Sequence, residues 1–168
     1  MNSERLRIIQ ALNELDAPTS IDKIAAKSGL TRGKVLGNLP RLCLDGLVDK
    51  RGRLYAIMDR GRVILRELEL VPEDKAFYFY LGENKPAGLA ARSLKEFYDA
   101  VKTVDSTSLE FHVQRGDFEK WIREVLGDEE LAAEIAELRP ANLSGDSLRN
   151  KLCENIGRNY KILSAFTI

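Results

Sequence analysis

From Ser3 to Ile57 the sequence breaks at turn signals into three short helical periods, then two short β-prone segments about a glycine, an order few folds accommodate. Ser3 is placed to cap a first helix whose apolar positions Ile8, Ile9, Leu12 and Leu15 follow the helical repeat, stopping before Asp16-Ala17-Pro18. Thr19 or Ser20 caps a second helix carrying Ile21, Ile24 and Ala25, which ends at Ser28-Gly29, where glycine supplies the left-handed turn. Leu30 follows as a core plug. Thr31 caps a third helix with Val35, Leu39 and Leu42 on one face, closing at Asp45-Gly46. Leu47–Arg51 and Arg53–Ile57 then read as two strands around a turn at Gly52.

This order, with Ala25 four residues before Gly29 and Val35 six after it, resembles the winged helix-turn-helix of the MarR and ArsR type. Gly46-Leu47-Val48 is similar to that group's approach to the wing, Arg51-Gly52-Arg53 to its tip, and Met58-Asp59-Arg60-Gly61 to the start of the next helix. The resemblance implies a third helix that enters a nucleic-acid groove and a basic wing that grips phosphates beside it. The residues placed for those tasks are Thr31, Arg32, Lys34 and Arg41 on the helix and Lys50, Arg51 and Arg53 on the wing, whose plainer reading is a solvated hairpin tip. Stepping 100° per residue from the inward positions, the outward face of the third helix is Gly33, Gly37, Pro40 and Leu44. That face lacks the Arg, Lys, Asn or Gln that read base edges. Gly33 and Gly37 therefore suit close approach by a flat partner, an rRNA backbone, a protein or the rest of the chain; the alternative is a helix that stops near Pro40.

Beyond residues 1–70, Val71–Lys75 reads as a linker and 76–168 as a second, mainly helical domain, making the whole chain mainly α with a small β-wing. Ala76–Leu81 is aromatic and β-prone, and Gly82–Gly88 reads as a loop. Ser93-Leu94-Lys95-Glu96 is a capping box. Further helices are expected over Ser106–Gln114, from Asp117 as cap to Gly127, from Asp128 to Arg139-Pro140, and from about Ser147 to Ala165. Phe77-Tyr78-Phe79-Tyr80, Ser93-Leu94-x-x-Phe97, Phe111-His112 and Arg115-x-Asp117-Phe118-x-x-Trp121-Ile122 together resemble an archaeal and bacterial domain family of unknown function. The final helix carries a long apolar line, Leu148, Leu152, Ile156, Tyr160 and Leu163, expected as a homodimer interface or as cover for its own domain.

Charge divides unevenly. Residues 1–70 carry 13 basic and 9 acidic side chains, 71–146 hold a net −7, and 147–168 have Arg149, Lys151, Arg158 and Lys161 against Glu154. Two basic ends flanking an acidic middle permit polyanion contact at the ends. Met1–Arg5 lacks a signal-peptide core, and Cys43 and Cys153 lack pairing density or metal spacing, so the expectation is a cytoplasmic protein without metal or cofactor. His112 and Asp117 form a conceivable acid–base pair, but no nucleophile or nucleotide-binding glycine motif accompanies them, which points away from an enzyme. The sequence thus favours a homodimeric transcriptional regulator, with a ribosome-associated factor of the subunit-pairing or silencing kind as the alternative.

Overall fold

The computed structural model describes residues 3–164, with side chains through Arg158. It is mainly helical with two small antiparallel sheets. The chain divides into two compact units, the first reaching Glu67 and the second covering Leu68–Lys161.

In the first unit, α1 (Ser3–Leu15), α2 (Ile21–Ser28) and α3 (Arg32–Leu44) precede a hairpin of β1 (Val48–Arg51) and β2 (Leu54–Ile57), and α4 (Asp59–Leu68) comes after it. The local chemistry explains each boundary. Ser20 accepts from the Lys23 amide and Thr31 from the Lys34 amide, satisfying amides the first helical turn leaves unpaired. Gly29, at φ 64°, returns its N–H to Ala25 O. Ile8, Ile9, Leu12, Ile24, Val35, Leu39, Leu42, Leu47 and Ile64 make the core, the periodic positions of each element brought together. Pro40 does not end α3, which runs on to Leu44. Asn38 secures that helix to α1, donating to Glu4 Oε2 (3.1 Å) and accepting from Arg5 Nε (3.2 Å). The hairpin is in register from Val48↔Ile57 to Arg51↔Leu54, turning at Gly52 (φ 63°) and Arg53.

Close approach also fixes where α4 lies. A Cβ added to Gly61 would stand 2.7 Å from Leu47 O and 2.9 Å from Ile57 Cγ1. Alanine favours helix over glycine by up to about 1 kcal/mol, but here it must push a helix off the base of a hairpin. We expect Gly61→Ala to destabilise the first unit by about 1–3 kcal/mol, the range for overpacking. Chemical denaturation followed by far-UV circular dichroism checks it, and an unchanged or raised midpoint would refute the close contact.

The second unit begins where composition suggests a linker. Val71–Lys75 is instead fastened to later parts of its own unit: Val71 N donates to Arg92 O (2.7 Å), Arg92 Nε to Val71 O (2.9 Å), and Trp121 Nε1 to Lys75 O (2.8 Å). β3 (Phe77–Gly82) pairs with β4 (Lys85–Ala91), so most of the expected loop 82–88 is strand. Pro86 and Gly88, read from sequence as loop signals, occupy a bulged outer strand. From Tyr78 to Tyr80, β3 advances two residues while β4 goes from Ala90 to Pro86, and Gly88 (φ 74°) lies in that excess. Helices α5 (Leu94–Thr103), α6 (Ser106–Arg115), α7 (Asp117–Trp121), α8 (Glu129–Ala136) and α9 (Gly145–Ser164) complete the unit, with Ile122–Leu126 extending α7 as a π-helical turn closed by Gly127. Ser93 caps α5 through the Glu96 amide, while the Glu96 carboxylate takes the amide of Arg92, one residue earlier than a strict capping box.

Candidate functional site

Two surfaces hold the residues that the sequence singles out. On the first unit, α3 presents Val35, Leu39 and Leu42 inward and leaves Gly33, Gly37, Pro40 and Leu44 exposed. Nothing lies within 4 Å of a Cβ built on Gly33 or Gly37, so the smooth face is open. The basic residues around it are committed in a way the sequence does not reveal. Arg32 pairs with Asp22, Lys34 with Glu4 (2.9 Å), Arg41 with Asp45 (3.1 Å) and Arg51 with Asp49 (2.8 Å). Thr31 is occupied as the α3 cap. Lys50 and Arg53 have no ion-pair partner among the described residues, and both are exposed. The uncommitted positive charge of this surface is thus at the hairpin end rather than along α3.

The second surface is a cleft of about 660 Å3 in the second unit. It gathers the strand residues Tyr78 and Tyr80, His112 and Arg115 of α6, and Asp117 and Trp121 of α7. Phe77 is its aromatic anchor, with ring centroids of His112 at 4.9 Å, Phe118 at 5.3 Å, Phe97 at 5.6 Å and Trp121 at 5.7 Å. Most of these contacts are edge-to-face, the geometry aromatic quadrupoles favour.

His112 is 3% exposed and both its nitrogens are engaged. The Tyr80 amide donates to Nε2 (2.9 Å), so Nε2 must be an unprotonated acceptor; the ring proton is then on Nδ1 and is donated to Asp117 Oδ2 (2.8 Å). Burial pushes the imidazole below its ordinary pKa, against the opposing pull of the Asp117 hydrogen bond and charge. The Asp117 carboxylate also accepts from Arg115 Nε (3.1 Å). Asp117 is therefore not the cap expected of it: Gly116, in the left-handed conformation at φ 74°, stands at the N-terminus of α7 without a side-chain cap, and the carboxylate turns back across it to His112. A histidine bonded at both nitrogens has no lone pair with which to take a substrate proton, so the pair is built for holding β3 against α6 and α7.

The expected interface stripe is a second correction. Leu148, Leu152 and Ile156 are 1%, 0% and 0% exposed, and their side chains pack inside the second unit. Neighbouring bonds fix α9 in place, Arg149 to Val101 O and Val104 O and Asn155 Nδ2 to Glu134 O. Tyr160 and Leu163 lie outside the residues whose side chains are described. Among the described residues no group of three or more His, Cys, Asp or Glu is arranged to hold a metal ion, and no helix is long and apolar enough to cross a membrane.

These features define a mainly helical chain of two units, the second carrying an aromatic cleft. Its matching family is a Family of unknown function (DUF5752), over residues 44–157; that is more than half the chain, and the protein belongs to this family. The match takes in the hairpin and α4 as well as most of the second unit, and no winged-helix family is detected. No curated protein and no solved structure matches the chain.

Proposed function

We propose that the first unit is a winged helix-turn-helix through which the protein binds nucleic acid, as a transcriptional regulator that grips the phosphate backbone more than it reads bases. The observation that carries this reading is the bridge between Thr19 and Tyr55, each of whose amides donates to the other's carbonyl at 2.9 Å. That bridge seats the β1–β2 hairpin beside the start of α2, as a wing requires, and leaves the Gly52-Arg53 turn at the hairpin's free end. Lys50 and Arg53 are available there for phosphates. Arg32, Lys34, Arg41 and Arg51 each face a carboxylate competitor, but exposed pairs are worth only about 0–1 kcal/mol, so a phosphate can displace them. The glycines and proline on the outward face of α3 support weak base discrimination.

Replacing Lys50 and Arg53 together by alanine should lower the salt dependence of duplex binding by about two phosphates' worth, each contributing a slope near 0.9. Fluorescence anisotropy with a labelled random duplex across a salt series measures it. An unchanged slope in a folded variant would reject the wing as the contact.

A second reading, docking on a ribosomal subunit, draws support from apolar exposure on α3, where Leu36 is 44% and Leu44 77% exposed beside the open glycines. The two readings separate at Gly37→Arg. Added charge should tighten random-duplex binding if the face meets DNA, whereas a close-packed subunit contact should weaken. Anisotropy with duplex and sedimentation with purified small subunits give the two answers.

A further inference from the structure

The cleft of the second unit combines an aromatic floor with a rim of both charges. Phe77, His112 and Trp121 are nearly buried beneath it, while Tyr78 and Tyr80 are exposed on the strand beside it. The floor is held rigidly: the His112 ring is bonded at both ends, and Trp121 Nε1 is bonded to Lys75 O. A pocket preorganised in this way costs little ordering on binding. Its volume falls in the range of small-molecule sites, which pair a mostly apolar lining with a few polar groups.

The rim is less satisfied. Lys120, Glu83 and Glu124 line the cleft without ion-pair partners among the described residues. Arg115 uses its Nε on Asp117 and lies over the Phe111 ring at 5.1 Å, which leaves its terminal nitrogens without a bond among the described residues. A ligand of one charge would meet the opposing sign on the same rim. A zwitterion answers both, and an aromatic ring is the body that an edge-and-face aromatic floor receives best.

We propose that this cleft binds a free aromatic amino acid, its ring on the Phe77–Trp121 floor, its carboxylate met by Lys120 and Arg115, and its ammonium by Glu83 and Glu124. The site would make the second unit a sensor of amino-acid supply.

Trp121 is the chain's single tryptophan, so its fluorescence reports on the cleft directly. Titrating the full-length protein with L-phenylalanine should give a saturable change in tryptophan emission at up to millimolar concentration. Phenethylamine, which lacks the carboxylate, and 3-phenylpropionate, which lacks the ammonium, should each bind about fivefold or more weakly, the scale of one partly exposed charge contact. L-Leucine should bind more weakly as well. Lys120→Ala should weaken L-phenylalanine and 3-phenylpropionate but not phenethylamine, and Glu83→Gln with Glu124→Gln should do the reverse. These rim residues are exposed, so the variants should fold, with wild-type melting curves as the control. No saturable change with L-phenylalanine overturns the proposal. So does equal binding of either one-charge analogue or of leucine, or binding unaffected by the rim variants.

Discussion

Replacing His112 by leucine is expected to lower the stability of the second unit by about 2–4 kcal/mol and to flatten its dependence on pH near neutrality. The leucine fills much of the imidazole's volume but cannot accept from the Tyr80 amide, and an orphaned buried donor costs about 1–3 kcal/mol. The edge-to-face contacts with Phe77 and Phe79 go as well, at about 0.5–1.5 kcal/mol each. Asp117 is spared the worst, because Arg115 still pairs with it. The pH effect has the same geometric origin. Protonation would put a hydrogen on Nε2 facing the hydrogen of the Tyr80 amide, and burial of the ring already holds its folded pKa below the ordinary value of about 6.5. The groups facing the ring oppose each other, Asp117 favouring the charged form and Arg115 disfavouring it. As pH falls through the unfolded value, the unfolded chain takes up the proton and the native one does not. Stability from this group is therefore fully present above about 6.5 and is lost as pH falls toward the folded pKa. Urea unfolding followed by Trp121 emission at a series of pH values tests both parts. A variant as stable as the wild type, or one that keeps the wild-type slope across this window, would show that the ring does not hold β3.

The reason the sequence reveals some of this and not the rest lies in how far apart the interacting residues are. Caps and turn residues act within four positions, so Ser20, Gly29, Thr31 and Ser93 mark helix ends that can be read directly from the chain. The apolar repeats of α1 to α3 likewise name the buried side chains before any packing is known. Asp117 misleads because two local roles compete: its position after Gly116 suits a cap, and only the left-handed turn brings the carboxylate back to His112 five residues earlier. β4 is hidden by Pro86 and Gly88, which signal a loop unless the strand is an outer, bulged one. The neutralisation of α3 is invisible for a different reason. Glu4 and Asp22 reach Lys34 and Arg32 from other helices, across separations of 30 and 10 residues. The cleft is the most distant construction of all, since β3 and α7 meet only after the intervening chain has folded. The aromatic and charged residues that line it are visible as a string, but their convergence is not.

Leu152→Ala should be as damaging as any single change in the second unit, lowering stability by about 2–5 kcal/mol with a melting temperature that does not depend on protein concentration. Period alone offers the stripe on α9 either as a surface for a second copy or as cover for its own unit, and the two uses differ in what a truncated side chain removes. At 0% exposure, Leu152 already has all its contacts within one chain, so alanine leaves a cavity in that chain's core and the cost is that of an interior leucine. Leu148 and Ile156, one turn to either side, are equally enclosed and prevent the helix from rolling to close the gap. An interface leucine would behave otherwise: its loss would weaken association, and mass action would make the melting temperature rise with concentration in the wild type and fall most in the variant at low concentration. Removing the helix by truncation before Ser147 sharpens the distinction, because a core that loses Leu148, Leu152 and Ile156 together should lose cooperative unfolding of the second unit, whereas an interface helix would leave a folded monomer. Differential scanning calorimetry over a hundredfold range of concentration, with sedimentation velocity on the same samples, gives the answer. A concentration-dependent transition in the wild type that Leu152→Ala abolishes would return the stripe to the surface.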